Sequence, residues 1–174
     1  KPDSEIKEKL EELTEAFSLD VVYEGDNQQV IANGRNVTGM IRTPEVSIAA
    51  SKVGVVPKVR LKLVELQREI ASRSDVVMDG RDIGSYVLPD AAVKVFVTAS
   101  VEVRAQRRFI ELKAKGNEAV TYEEVLADMK FRDANDSSRA FAPLKQAEDA
   151  VLLDTSDLDE AQSENALIDI IKGK

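Results

Sequence analysis

Residues 76–84 read VVMDGRDIG: an apolar run that closes on an acid, then a glycine, an arginine and a second acid before the next glycine. A β-branched run of this length predicts a buried strand, and its last residue, Asp79, would then stand at the strand's carboxyl end. Charged groups at the edge of a core are expensive unless they have partners or a ligand. A plain polar turn between strand and helix fits the same letters, so the surroundings must decide. Two further runs, VKVFVTAS (93–100) and AVLLDTS (150–156), repeat the pattern and are separated from it by helical segments. Short β-branched runs alternating with helices are the signature of βα units around a parallel sheet, so the fold class is α/β.

Working outward, SEIKEKLEELTEAF (4–17) places Ile6, Leu10, Leu13 and Phe17 at helical spacing behind Ser4. The stretch from Leu19 to Gly39 reads as a hairpin or small meander, with strands near 20–24 and 28–32 joined by Gly25-Asp26-Asn27. Thr43 and Pro44 open a helix that Gly54 ends, and Pro57 opens another with Val59, Leu63, Leu66 and Ile70 on one face. A helix from Val101 follows Ser100 and stops at Gly116; Thr121 and Glu124 form a capping box for the next, and Leu158 to Ile171 makes a last helix. The boundary between a peripheral α+β lobe and the α/β core is expected near residue 73.

Composition narrows the chemistry. At 174 residues the chain suits one domain with an inserted lobe, and its 43% hydrophobic content is that of an ordinary soluble protein. No apolar run approaches the ~20 residues of a membrane helix, which with the absence of a signal-peptide pattern makes a cytoplasmic location the expectation. With no Cys there are no disulfides or thiolates; with no His there is no histidine triad, base or metal ligand. Carboxylates, Arg and Lys, backbone amides or an oxygen-liganded Mg²⁺ must carry any reaction. A net charge of −8 argues against a nucleic-acid binder, and only 5% aromatics leaves little to stack bases on. Yet Arg104, Arg107, Arg108, Arg132 and Arg139 crowd one stretch, which suits a small anion.

Asp79 and Asp154 both close predicted strands, where phosphoryl-transfer enzymes hold Mg²⁺. In RDANDSSR, Arg132, Asp136 and Arg139 stand at i, i+4 and i+7, and share a face if that stretch stays helical. Arg104, Arg107 and Arg108 share a face on the preceding helix. Guanidinium forks match phosphate oxygens. Solvated, salt-bridged surfaces are the usual fate of such helices, but Arg132 and Arg139 flank one acid just before the apolar AFAPL, which favours a functional cluster. The glycines of GRNVTG (34–39) match the first six positions of G-x-x-x-x-G-K-[ST], but Met40 and Ile41 follow and the segment comes after a hairpin. It is no phosphate loop.

Three segments in this order, VTGMIRTPEVSIAASKVGVVPKVR (37–60), VVMDGRDIGSYVLPDAAVKVFVTASVEVRAQRR (76–108) and RDANDSSRAFAPLKQAEDAVLLDTS (132–156), resemble the bacterial cytidylate kinases, nucleoside monophosphate kinases. The resemblance implies transfer of the γ-phosphoryl of ATP to CMP or dCMP with Mg²⁺. It implies a P-loop-kinase-like parallel sheet core with helices on both faces, an inserted monophosphate-binding lobe and a helical lid. The division would be a junction helix at 1–16, the insert at 17–72, core at 73–100, lid and flanking helices at 101–140 and core again at 141–174. Ser51, Arg60 and Asp82 match the positions that read cytosine. Arg81 and Arg139 match acceptor-phosphate ligands, Arg132 a catalytic arginine between donor and acceptor phosphates, and Asp136 a contact to the sugar hydroxyls. Arg104, Arg107 and Arg108 fall in the lid-flanking helix, so one of them is expected to approach ATP, and Asp79 to reach Mg²⁺ through water. Partners are then small nucleotides, with no nucleic acid or membrane and a monomer when full length.

Two departures accompany the resemblance. Ser85 stands where the family has Thr after DGRDIG. The family's opening strand, P-loop and first helix have no counterpart here, and Lys1 aligns just after them. An N-terminally incomplete and by itself inactive form is therefore expected, since this chemistry rests on positioning and electrostatics. The other reading is a truncated, non-catalytic relative that binds a nucleotide or a partner.

Overall fold

The chain packs as two compact units, Lys1–Val77 and Met78–Lys174. The computed structural model describes residues 2–54, 56–138 and 142–173.

In the first unit, α1 (Pro2–Glu15) packs on α3 (Pro57–Arg73), and α3 meets the first strand of a three-stranded antiparallel sheet. That sheet is β1 (Leu19–Glu24), β2 (Asn27–Ala32) and the short β3 (Arg35–Asn36), paired in sequence order. Glu24 faces Asn27 in the register, so Gly25-Asp26 is a two-residue turn, with Gly25 at φ +60°. Ala32 faces Arg35, and the turn between them is Asn33-Gly34, both with positive φ (48° and 74°). That is the type I′ geometry, which fits the right-handed strand twist and for which Asn-Gly is the favoured pair. The first glycine of GRNVTG, Gly34, thus sits in a hairpin turn.

Along the chain, α2 (Pro44–Val53) follows β3 and precedes α3. Thr43 caps it, its Oγ1 accepting from the Val46 amide at 3.3 Å, Pro44 takes the first turn, and the Gly54 amide closes the far end on Ala50 O. Val59, Val64 and Leu66 of α3 are buried, Val59 and Leu66 on one face, and Lys58 of α3 pairs with Glu15 of α1 at 2.6 Å.

The second unit carries a parallel pair, β4 (Val95–Thr98) and β5 (Val151–Asp154), in register Val95↔Val151 to Thr98↔Asp154. Around it run α4 (Val101–Ala114), α5 (Tyr122–Ser138) and α6 (Glu160–Lys172); α4 packs on α5, and α6 on β5. Ser100 caps α4. Thr121 and Glu124 cap α5 reciprocally, the Glu124 amide donating to Thr121 Oγ1 and the Thr121 amide to Glu124 Oε2. Asp159 and Gln162 do the same for α6. Ala105 of α4 is fully buried, as is Val87, with Val125 of α5 close behind. The α/β class with a parallel pair is therefore present.

One expected element is not. Residues 75–79 form no strand, Val77 being 96% exposed, although VKVFVTAS and AVLLDTS supply β4 and β5 as read. A strand exists through its ladder, and among the described residues no backbone pairs with this run. Asp79 consequently does not stand at a strand end; it lies in exposed irregular chain. Among the described residues no helix is long and apolar enough to cross a membrane.

Candidate functional site

The DGRDIG segment turns sharply. After the irregular residues 75–82 comes a single π turn, Ile83–Val87, whose first carbonyl, Asp82 O, accepts from the Tyr86 and Val87 amides at 2.9 and 3.1 Å. Single π turns collect at functional sites. Gly80 is required by contact: a Cβ there would lie 2.7 Å from Cγ1 of Ile83. At Gly84 a Cβ would press to 3.3 Å on the Lys94 side chain, which is itself buried and paired with Asp149. The two glycines thus bring their backbone against protein side chains.

Arg81 and Asp136 come together although 55 residues apart. Arg81 Nε donates to Asp136 Oδ2 at 2.8 Å; the arginine side chain is 54% exposed and the aspartate's 11%. Asp136 occupies the buried side of α5 near its end, and its carbonyl accepts from the Leu144 amide at 2.9 Å, fastening the returning chain. Asp82, the neighbour of Arg81, is buried as well, at 4% exposure. Arg132 lies one turn before Asp136 on α5 and is exposed. Arg139 falls outside the described residues.

The three arginines of α4 take three different sets of partners. Arg104 directs its fork at Asp133 of α5, Nη1 to Oδ1 at 3.1 Å and Nη2 to Oδ2 at 2.7 Å, while Nε donates to Ala99 O at 2.9 Å. Arg107 holds the chain after β5, donating to Thr155 Oγ1, Thr155 O and Leu158 O. Arg108 pairs on the surface with Glu111, which Lys115 also reaches. These hydrogen bonds, Lys115's first and Arg108's next, hold the Glu111 carboxyl down at about 2.

Asp133 and Thr155 were not legible as site residues. Thr155 is 4% exposed and its hydroxyl donates to Thr98 O, locking the carboxyl ends of the two parallel strands together. Beside it, Asp154 accepts from the Ser156 hydroxyl at 2.6 Å and the Ser156 amide at 2.9 Å, which hold its carboxyl below the usual range. The Ser156 hydroxyl in turn accepts from the Ser100 amide. The end of β5 is thus knit to the start of α4.

In the first unit, Ser51 falls on the last turn of α2 and Arg60, half-buried, on the first turn of α3. Among the described residues no group of three or more carboxylates gathers to cage a metal ion. A hydrated Mg²⁺ carried mainly by phosphate oxygens needs only one or two carboxylates; Asp79 is exposed.

Residues 3–173 match the family model for cytidylate kinase. Among curated proteins, a cytidylate kinase of Thermosipho melanesiensis is 46% identical over 99% of this chain and 75% of its own length. One of Carboxydothermus hydrogenoformans is 46% identical over 95% of this chain and 74% of its own. One of Caldicellulosiruptor saccharolyticus is 47% identical over 87% of this chain and 66% of its own, so the chain spans about two thirds to three quarters of these relatives. Identity at that level, sustained through both units, shows that the chain belongs to the cytidylate kinase family.

Proposed function

We propose that the protein is a nucleoside monophosphate kinase that transfers the γ-phosphoryl group of ATP to CMP or dCMP, giving CDP or dCDP. The family match supports the phosphotransferase and its ATP donor. The structural observation that carries the reading is the ion pair of Arg81 with Asp136, which leaves a half-exposed guanidinium fixed in place at the DGRDIG segment. A guanidinium so held has less freedom to lose when it meets phosphate oxygens.

On this reading Arg81 and Arg139 take the acceptor phosphate. Arg132, exposed on α5, stands between donor and acceptor and offsets charge spreading over the transferred group. Ser51, Arg60 and Asp82 read the carbonyl, ring nitrogen and amine of cytosine, and Asp136 meets the sugar. Arg104, Arg107 or Arg108 approaches ATP; Arg108 is the one with only surface ion-pair partners. Asp79 would hold Mg²⁺ through water, and the ion would supply positive charge against the phosphate groups. An acceptor monophosphate has a second pKa near ~6 and is already an anionic nucleophile at neutral pH, so a chain without His needs no base for in-line attack. The finer architecture belongs to the same proposal: a parallel core with helices on both faces, the 17–72 insert and the 101–140 lid.

A coupled assay of the intact protein with ATP and Mg²⁺ tests it. CMP and dCMP should be phosphorylated faster than UMP or AMP, and Arg132→Ala should lower kcat far more than it raises KM. Faster phosphorylation of AMP than of CMP would overturn the substrate assignment.

A further inference from the structure

We infer that Asp136 is a positioning residue for Arg81: the buried carboxylate grips the guanidinium by Nε and so presents its terminal Nη pair to a phosphate. The inference rests on the kinase reading above for the identity of that phosphate, and it gives Asp136 a task in addition to contact with the sugar, whose hydroxyls an Asn oxygen at this position can still meet.

The argument comes from two arginine–aspartate pairs on one helix. Asp133 and Asp136 stand three residues apart on α5, and each holds an arginine from a different segment. Arg104 gives Asp133 both Nη groups and spends Nε on Ala99 O, so each of its three nitrogens is engaged within the protein. Arg81 meets Asp136 through Nε at 2.8 Å, a bond that leaves the Nη pair outside it. Fork-to-fork pairing neutralises an arginine, whereas an Nε grip orients it and keeps the bidentate end for a ligand.

Burial runs the same way. The gripping carboxylate is 11% exposed and the arginine 54%, so the anchor is inside and the charge-bearing end meets solvent. Arg81 also needs an anchor more than a helical arginine does. It sits in irregular chain between Arg73, where α3 ends, and the π turn at Ile83, so no regular backbone sets the direction of its side chain. Ordering such a side chain only on binding would forfeit rotamer freedom and weaken binding by up to roughly thirtyfold. The grip itself is secured by the Leu144 amide on Asp136 O, which ties that turn of α5 to the chain returning beyond it.

Calorimetric titration of the intact protein with CMP and with cytidine, which lacks the phosphate, separates the possibilities. Asp136→Asn should weaken CMP by about tenfold or more, the worth of a hydrogen bond to a charged group, and change cytidine by less than about twofold. In an Arg81→Ala background the same substitution should add less than about twofold. Equal weakening of CMP and cytidine, or losses that multiply in the double variant, would overturn the positioning role and leave Asp136 as a nucleoside contact. Should Asp136→Asn fail to fold, Arg81→Lys serves, because an ammonium has no second edge to be gripped by. It should show the same CMP-selective loss, and wild-type CMP affinity would overturn the inference. A wild-type protein that prefers AMP or UMP removes the cytidine assignment only, and the phosphate-to-nucleoside ratio with the preferred base then decides Asp136. No preference for monophosphate over nucleoside would overturn both.

Discussion

Replacing Arg104 by methionine keeps most of the apolar stem and removes three hydrogen bonds, those from Nε to Ala99 O and from the fork to Asp133. The paired side chains are 34% and 36% exposed, so solvent screens them and the ion pair contributes ~1 kcal/mol, well short of a buried pair. Ala99 is only 6% exposed, and its carbonyl loses a charged donor, about 1.5 kcal/mol more. The expected loss for Arg104→Met is therefore ~2.5 kcal/mol, a fall in Tm of about 5–10 °C for a chain of this length. Urea unfolding gives the free energy directly. Asp133→Asn should cost about 1 kcal/mol, and a cycle of the two should return a coupling of about 1 kcal/mol, roughly halved in 1 M salt. Additivity within ~0.3 kcal/mol would mean that the α4–α5 clasp does not form in solution. Unchanged stability in Arg104→Lys with a raised KM for ATP would refute the reasoning differently, by placing the guanidinium on nucleotide instead of on Asp133.

Two other expectations follow from close contacts. Gly80→Ala sets a Cβ 2.7 Å from Ile83 Cγ1 and should destabilise by about 1–3 kcal/mol, with much of the loss relieved by Ile83→Ala in the same chain; no relief, read by urea unfolding, would sink the steric account. Glu111 should titrate near about 2 against an ordinary 4.5 in the unfolded chain. Its folded value is depressed, so its stabilising effect is full above 4.5 and is lost as pH falls from there through about 2. Carboxyl-detected NMR across that window checks it: a midpoint at or above 4 in the folded protein contradicts the Arg108 and Lys115 bonds, and Glu111→Gln should flatten that part of the stability–pH curve.

What the sequence made legible was whatever is decided within about four residues. Thr43, Pro44 and Gly54 bounded α2, Thr121 and Glu124 the start of α5, and Gly25 the first hairpin, because caps and tight turns satisfy local backbone groups. VVMD failed as a strand for the converse reason: β-branching favours a ladder but cannot supply the neighbouring backbone that makes one. Side-chain partners were the least legible, since the acids that occupy Arg104 and Arg81 lie 29 and 55 residues away, outside any local pattern. That gap matters for function. Counting arginines between 104 and 139 predicted an anion site, but the count does not say which guanidiniums have capacity left. Asp133, unremarked in the pattern RDANDSSR, occupies the whole fork of Arg104, and Asp136, three residues on, engages Arg81 at Nε alone. One helical turn of α5 thus engages the whole fork of one arginine and only Nε of the other, and the positions of the acids decide which is which.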